Sequence, residues 1–177
     1  MQPNIYCMID IGKVRIVPDF PTNGIQFYDI TTVLNDAEEY QRIFNLLLEE
    51  AKKVNPDVIV ALESRGYYFG PSMALALRVP FVPIRKKGKL PFSTYSESYD
   101  LEYGKATIEI HTDALKSNQK VLLFDDILAT GGTALAAIKL INRFNPQSIS
   151  PLFFMELEAL KGKEKLKGYN YTSLVVV

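Results

Sequence analysis

Val121-Leu122-Leu123-Phe124-Asp125-Asp126-Ile127-Leu128-Ala129-Thr130-Gly131-Gly132-Thr133 is the stretch on which the fold turns. Val121 to Phe124 is a short, unbroken apolar run, the pattern of a strand covered on both faces. Asp125 and Asp126 follow where such a strand leaves its sheet, the place where ligands collect in open α/β sheets. Thr130-Gly131-Gly132-Thr133 then makes a turn in which glycine permits close approach of a ligand to the backbone. A helix is expected from roughly Ala134 to Phe144, with Leu135, Ala137, Ile138 and Ile141 at helical spacing and Thr130 or Thr133 as its cap. Its first turn offers unpaired N–H groups and a partial positive charge, a ready anion site. An acid pair beside amide donors suits a phosphorylated sugar, with hydroxyls on the acids and phosphate on the amides. The segment has no lysine after its glycines, so it is not a Walker A loop, and the chain has no Gly-x-Gly-x-x-Gly dinucleotide fingerprint.

Outward from this run the pattern alternates. Ala37 to Val54 reads as a helix with Tyr40, Ile43, Phe44, Leu47, Leu48 and Ala51 on one face. Val58 to Leu62 reads as a buried strand, Gly70 to Leu77 as a helix that tolerates Pro71 in its first turn, and Phe81 to Ile84 as a strand. Leu90 to Lys105 is polar, aromatic and without regular pattern, a long loop of the kind that forms lids. Thr107 to His111, Ile149 to Leu157 and Tyr171 to Val177 are further strand candidates. Near the N-terminus Ile9-x-Ile11 and Val14-x-Ile16 look extended, and Phe20 to Ile30 looks irregular. Strands alternating with helices predict an α/β fold with a mainly parallel sheet flanked by helices.

Composition sets bounds on function. The 177 residues suffice for one domain with a sizeable core, and 47% hydrophobic against 23% charged residues excludes a disordered chain. A net charge of zero gives no general attraction to nucleic acid or anionic membrane, so any anion site must be local. The single cysteine, Cys7, allows no internal disulfide and fits a reducing, cytoplasmic setting. No apolar run is long enough to span a bilayer, and the N-terminus lacks a signal-peptide pattern.

Two further segments sit at strand ends. Glu63-Ser64-Arg65-Gly66 follows Val58 to Leu62; Arg65 there is either a surface residue in a tight turn or a fork of donors for phosphate oxygens. Arg85-Lys86-Lys87-Gly88-Lys89 is a basic cluster after the next strand. It lacks the aromatic interleaving and overall basicity of a nucleic-acid surface, and it could balance a highly charged anion.

Taken together, these segments resemble a known family. The Asp125 to Thr133 run is similar to the phosphoribosyl-diphosphate signature of the type I phosphoribosyltransferases. Five others narrow the likeness to adenine phosphoribosyltransferases. They are Pro18-Asp19-Phe20-Pro21-Thr22-x-Gly24, Glu63-Ser64-Arg65-Gly66-Tyr67-Tyr68-Phe69-Gly70-Pro71, Arg85-Lys86-Lys87-Gly88-Lys89-Leu90-Pro91, Leu101-Glu102-Tyr103-Gly104-Lys105 and Leu160-Lys161-Gly162-x-Glu164-Lys165-Leu166. They run in order from Pro18 to the C-terminus.

The resemblance implies a single type I phosphoribosyltransferase domain over residues 1–177, with a small N-terminal hood (about 1–34) and a flexible lid loop (about 90–106). It implies Asp125 and Asp126 on the ribose hydroxyls and Ala129, Thr130, Gly131, Gly132 and Thr133 on the 5-phosphate. Ser64, Arg65, Arg85, Lys86 and Lys89 are implied for the diphosphate, with a cis Glu63–Ser64 peptide and one lysine reaching a partner subunit. Glu102 matches the acid–base group, beside Tyr103 in the lid. Gln26, Phe27 and Tyr28 match the adenine segment, Phe27 stacking on the ring; Tyr28 departs from the basic residue frequent in the family. The implied reaction makes AMP and diphosphate from adenine and 5-phosphoribosyl 1-diphosphate. Mg²⁺ would be held mainly by the substrate and not by protein ligands, in a homodimer without nucleic-acid or membrane partners. Two alternatives stay open here. One is a purine phosphoribosyltransferase for hypoxanthine, guanine or xanthine. The other is a regulator that binds 5-phosphoribosyl diphosphate without turning it over, although the seventeen residues before the hood are too few for an added DNA-binding domain.

Overall fold

The computed structural model describes residues 9–20, 22–100 and 104–177. They fall into two compact units, one up to Leu46 and one from Leu47 onward.

In the first unit β1 (Arg15–Pro18) and β2 (Gln26–Asp29) form an antiparallel pair in which Val17 faces Phe27 and Ile16 faces Tyr28. The expected irregular segment is thus partly strand, because pairing with β1 satisfies its backbone. Of the stretches Ile9-x-Ile11 and Val14-x-Ile16, both expected to be extended, the second leads into β1, but Ile11 begins a 3₁₀ turn over Ile11–Lys13; the Asp10 carboxylate accepts the Gly12 N–H at 2.9 Å and bends the chain there. A single helical turn, α1 (Thr31–Leu34), leads to α2 (Ala37–Val54), which belongs to the first unit up to Leu46 and to the second from Leu47 onward. Asp36 begins α2 by accepting the N–H groups of Glu38 and Glu39, each at 3.1 Å. Along α2, Ile43, Leu47 and Ala51 are fully buried, at the helical spacing legible in the sequence.

The second unit is built on a seven-stranded sheet. Its strands are β3 (Val58–Leu62), β4 (Phe81–Lys86), β5 (Thr94–Asp100), β6 (Lys105–His111), β7 (Lys120–Leu128), β8 (Ser148–Glu156) and β9 (Thr172–Val176). They lie in the order β5-β6-β4-β3-β7-β8-β9. The five strands β4, β3, β7, β8 and β9 run parallel, while β6 pairs antiparallel with β4 and β5 antiparallel with β6. From β3 the chain moves outward to β4; from β7 it moves the opposite way to β8. The sequence order therefore reverses between β3 and β7, and a crevice is expected at their carboxyl ends. The buried core contains Val60, Leu62, Ile84, Leu123, Ile138, Ile141 and Phe153.

Three elements differ from expectation. β7 does not stop at Phe124 but runs on through both acids to Leu128, because β8 keeps pairing with it as far as Leu128↔Glu156. Gly70–Leu77 forms the expected helix, α3, whereas the helix that follows β7, α4 (Gly132–Asn142), starts two residues early. The supposed loop contains β5, whose Tyr95, Glu97 and Tyr99 are half-buried while Ser96, Ser98 and Asp100 are exposed. That period of two was obscured by the hydroxyl-rich composition. Tyr95 packs edge-on against Phe144 at 5.5 Å, and Glu97 pairs with Lys139 at 3.2 Å.

Leu123 is completely buried at the centre of this sheet. Leu123→Ala should lower the unfolding free energy by about 2–5 kcal/mol, read as a lower urea midpoint with little change in slope.

Candidate active site

β3 and β7 are parallel neighbours in which Ala61 stands opposite Phe124. The loops that leave them therefore emerge side by side. Gly66 lies against the end of β7: a Cβ there would meet the Phe124 carbonyl at 3.0 Å and Asp125 Oδ1 at 3.4 Å. Between the two loops is a cavity of about 140 Å³ lined by Arg65, Asp125, Ala129, Thr130, Gly131 and Thr133, with Ile127, Leu128 and Ala134 completing its wall. Five residues assigned to the ribose phosphate and one assigned to the diphosphate thus share one small space.

The acids occupy different environments because adjacent residues of a strand point to opposite faces. Asp125 keeps part of its surface open to the cavity although protein crowds it closely; its Oδ1 accepts the Asp126 N–H at 3.0 Å. Asp126 is 1% exposed, and its Oδ2 stands 3.1 Å from Arg65 Nε in an ion pair too poorly aligned for a hydrogen bond. Burial pushes the Asp125 carboxyl well up from the ordinary value, and the neighbouring Asp126 charge adds to the shift. Burial also raises Asp126, and the Arg65 guanidinium offsets part of the rise.

The amide donors come from the turn between β7 and α4. Gly131 adopts φ 73° and ψ −1°, the left-handed region, and serves as the N-cap of α4. No side-chain oxygen caps this helix, so neither Thr130 nor Thr133 takes the expected capping role. The physical reason is the glycine itself: its left-handed conformation turns the chain into the helix without a side-chain cap.

The loop after β3 contains a cis Glu63–Ser64 peptide, at the bond implied by the resemblance. Ser64 is exposed and Arg65 half-buried. Glu63 turns toward β4, where its carboxylate accepts the Arg85 Nε–H at 3.2 Å and the Lys86 N–H at 3.0 Å. Burial works to raise this carboxyl, but the Lys86 bond and the Arg85 guanidinium together hold it below its usual value. Arg85 also donates to the Lys89 carbonyl at 3.2 Å. Tyr67 donates its hydroxyl to the Ile84 carbonyl at 2.9 Å, and burial with the nearby Glu63 charge pushes its pKa to about 12. The basic segment is thereby tied to the Glu63–Tyr67 loop, with Lys86 and Lys89 exposed beyond it.

Sequence reasoning missed Glu109, a buried acid on β6 that accepts the Gly88 N–H at 2.9 Å and holds the turn between Lys87 and Lys89. Its only sequence signal is a charge between two isoleucines, Ile108 and Ile110. Gln26, Phe27 and Tyr28 lie on β2 in the first unit; Gln26 is exposed, the other two are half-buried, and Phe20 meets Phe27 edge-on at 5.2 Å. Glu102 and Tyr103 lie outside the described residues. Among the described residues no three His, Cys, Asp or Glu side chains converge as a metal site. The donor set suits a hard cation carried on phosphate oxygens and water, with at most the Asp125–Asp126 oxygens nearby.

Known proteins bear on this geometry. Residues 30–174 match the family model described as a phosphoribosyl transferase domain. An adenine phosphoribosyltransferase of Ruminiclostridium cellulolyticum is 50% identical over 164 residues, which is 92% of this chain and 96% of that protein. The crystal structure of the adenine phosphoribosyltransferase of Thermoanaerobacter pseudethanolicus matches with a TM-score of 0.83 at 45% identity, covering 94% of this chain and 96% of that one. That of Saccharomyces cerevisiae, in complex with an imino-altritol 1,6-bisphosphate and adenine, matches with a TM-score of 0.84 at 42% identity, covering 92% and 94%. With the cavity at the reversal of its parallel sheet, its acid pair and its glycine-capped helix, the chain belongs to the adenine phosphoribosyltransferases of the type I phosphoribosyltransferase family.

Proposed function

We propose that this protein transfers the 5-phosphoribosyl group of 5-phosphoribosyl 1-diphosphate to adenine, forming AMP and diphosphate. The observation that carries the reading is the cavity in which Asp125 and Arg65 converge with Ala129, Thr130, Gly131 and Thr133; Gly132 lies outside its lining. A relative solved with adenine and a bisphosphate sugar analogue supports the substrate class.

In this reading the 5-phosphate rests on the Ala129–Thr133 amides and the positive end of α4. Asp125 and Asp126 accept from the ribose hydroxyls, which are donors suited to carboxylate oxygens. The diphosphate draws on Ser64, Arg65, Arg85, Lys86 and Lys89. Arg65 is engaged with Asp126 before substrate arrives, and Arg85 with Glu63. A diphosphate therefore exchanges partners with guanidinium groups already oriented by the fold. Mg²⁺ bound with the substrate supplies charge neutralisation on the phosphate oxygens. Adenine is recognised by Phe27 and by the backbone of Gln26 and Tyr28. N9 of adenine forms the bond to C1 as the C1–O bond to diphosphate breaks, through an oxocarbenium-like state. Glu102 accepts the N9 proton. Holding both substrates in line supplies much of the acceleration. A homodimer belongs to the same reading: Leu75 is 80% and Phe92 61% exposed, apolar surface that a second copy would cover. A cytoplasmic location is also part of it; no helix among the described residues is long and apolar enough to cross a membrane.

The decisive assay offers adenine, hypoxanthine, guanine and xanthine in turn, with 5-phosphoribosyl diphosphate and Mg²⁺. Turnover is expected with adenine alone; turnover with an oxopurine in its place, or no turnover with any base, defeats the reading. Glu102→Gln should lower kcat by about 10²–10⁴ with 5-phosphoribosyl diphosphate binding nearly intact, and unchanged steady-state turnover removes Glu102 from the mechanism.

The crowded acid pair implies a trade of stability for function. A carboxyl raised above its unfolded value binds protons more tightly in the folded state, so stability falls as pH rises from the unfolded value through the folded one. Asp125→Asn removes that penalty along with the ribose contact. At neutral pH it should raise Tm, while activity is lost. The difference in Tm should disappear below the ordinary carboxylate value of 3.8; a lower Tm at neutral pH contradicts this account.

A further inference from the structure

The phosphate loop has a rear wall made by a segment remote in sequence. Gly162, at the start of a 3₁₀ turn over Gly162–Leu166, is buried directly behind Ala129–Gly131. A Cβ at residue 162 would fall 2.2 Å from the Ala129 carbonyl oxygen and 3.0 Å from the Gly131 nitrogen. The approach is mutual, since a Cβ at Gly131 would fall 2.5 Å from the Gly162 carbonyl oxygen. The two backbones touch with no space for a methyl group between them. Gly131 also needs glycine for its left-handed φ, but Gly162 is not among the residues of positive φ. Alanine could adopt the Gly162 backbone conformation; what excludes it is the phosphate loop.

The segment is held firmly enough to act as a wall. Lys161 turns the chain in the left-handed region, at φ 53°. The Lys161 N–H donates to the Glu158 carbonyl and the Glu164 N–H to the Lys161 carbonyl, both at 3.0 Å. Four residues beyond Gly162, Leu166 is 1% exposed and anchored in the same core as Ile138 and Ile141 of α4. The element that presents the amides and the element that backs them are thus fixed to one core.

We propose that Gly162 is a positioning residue for the 5-phosphate: by allowing backbone-to-backbone contact it sets how far the Ala129–Thr133 amides stand from the ligand. The inference rests on the reading of that loop as the phosphate site. Ordinary contact begins near 3.4 Å, so a methyl group at residue 162 pushes the Ala129 carbonyl forward by about 1 Å, into the cavity. A displacement of that size at a binding group is worth about 10²-fold.

The test compares Gly162→Ala with the unmodified enzyme by calorimetric titration with AMP and, separately, with diphosphate, and records KM for each substrate. AMP affinity should fall about 10²-fold and KM for 5-phosphoribosyl diphosphate should rise to match, while diphosphate affinity and KM for adenine stay within about twofold. A general loss of structure would weaken all four. Should the variant not fold, hydrogen exchange on the unmodified enzyme decides: AMP should slow exchange at residues 129–133 and also at 160–164. Native AMP affinity in a folded Gly162→Ala variant, or protection at 129–133 without protection at 160–164, overturns the inference alone. Absence of protection at 129–133 overturns the phosphate-loop reading beneath it.

Discussion

The parallel pairing of β3 with β7 is the constraint on which the site depends. Ala61 opposite Phe124 sets the register, and with it the point at which each strand releases its loop. Because the chain leaves these two strands in opposite directions, no connection covers their carboxyl ends. The space left open receives Arg65 from one loop and Asp125 with the Ala129–Gly131 turn from the other. A slip of one residue in this pair would carry Asp125 and Asp126 to exchanged faces, because strand side chains alternate with a period of two. The apolar burial of β3 on both faces, complete from Val58 to Leu62, resists such a slip.

The charges of the site are balanced internally before any ligand is present. Arg65 answers Asp126, Arg85 answers Glu63, and Gly88 is held by Glu109. This balance is consistent with a net charge of zero in a protein that handles polyanions. Each guanidinium stands against a carboxylate of its own site, Arg65 at 3.1 Å and Arg85 at 3.2 Å. Asp125 is the exception. It is crowded by protein with a second carboxylate next to it in the chain, and burial together with that neighbouring charge pushes its pKa up.

Much of this was legible in the sequence. Helix α2 followed from apolar spacing, the buried strands from unbroken apolar runs, and one wall of the cavity from acids followed by Thr-Gly-Gly-Thr. What escaped were features decided by a partner distant in the chain. β7 continues through its acids because β8 pairs with it, and a strand's end is set by its neighbour as much as by its own residues. β5 looked like a loop because half-buried tyrosines alternate with serines; the edge of the sheet and α4 make it a strand. Thr130 and Thr133 are suitable caps by type, yet the left-handed Gly131 does that work.

The sequence by itself determined the residue chemistry of the site: two acids beside an apolar run, glycines at a helix start, an arginine loop and a basic segment, each within a few neighbouring residues. Only the tertiary structure decided how those pieces are held. The assignment of Asp126 to Arg65, of Arg85 to Glu63 and of Gly88 to Glu109 joins residues about 20 or more positions apart. The reason for Gly162 lies in the Ala129 carbonyl, more than thirty residues away. Local pattern records the chemistry because it is carried by side-chain type and spacing; close approach between backbones leaves only the absence of a side chain, which has no meaning until the opposing atom is located.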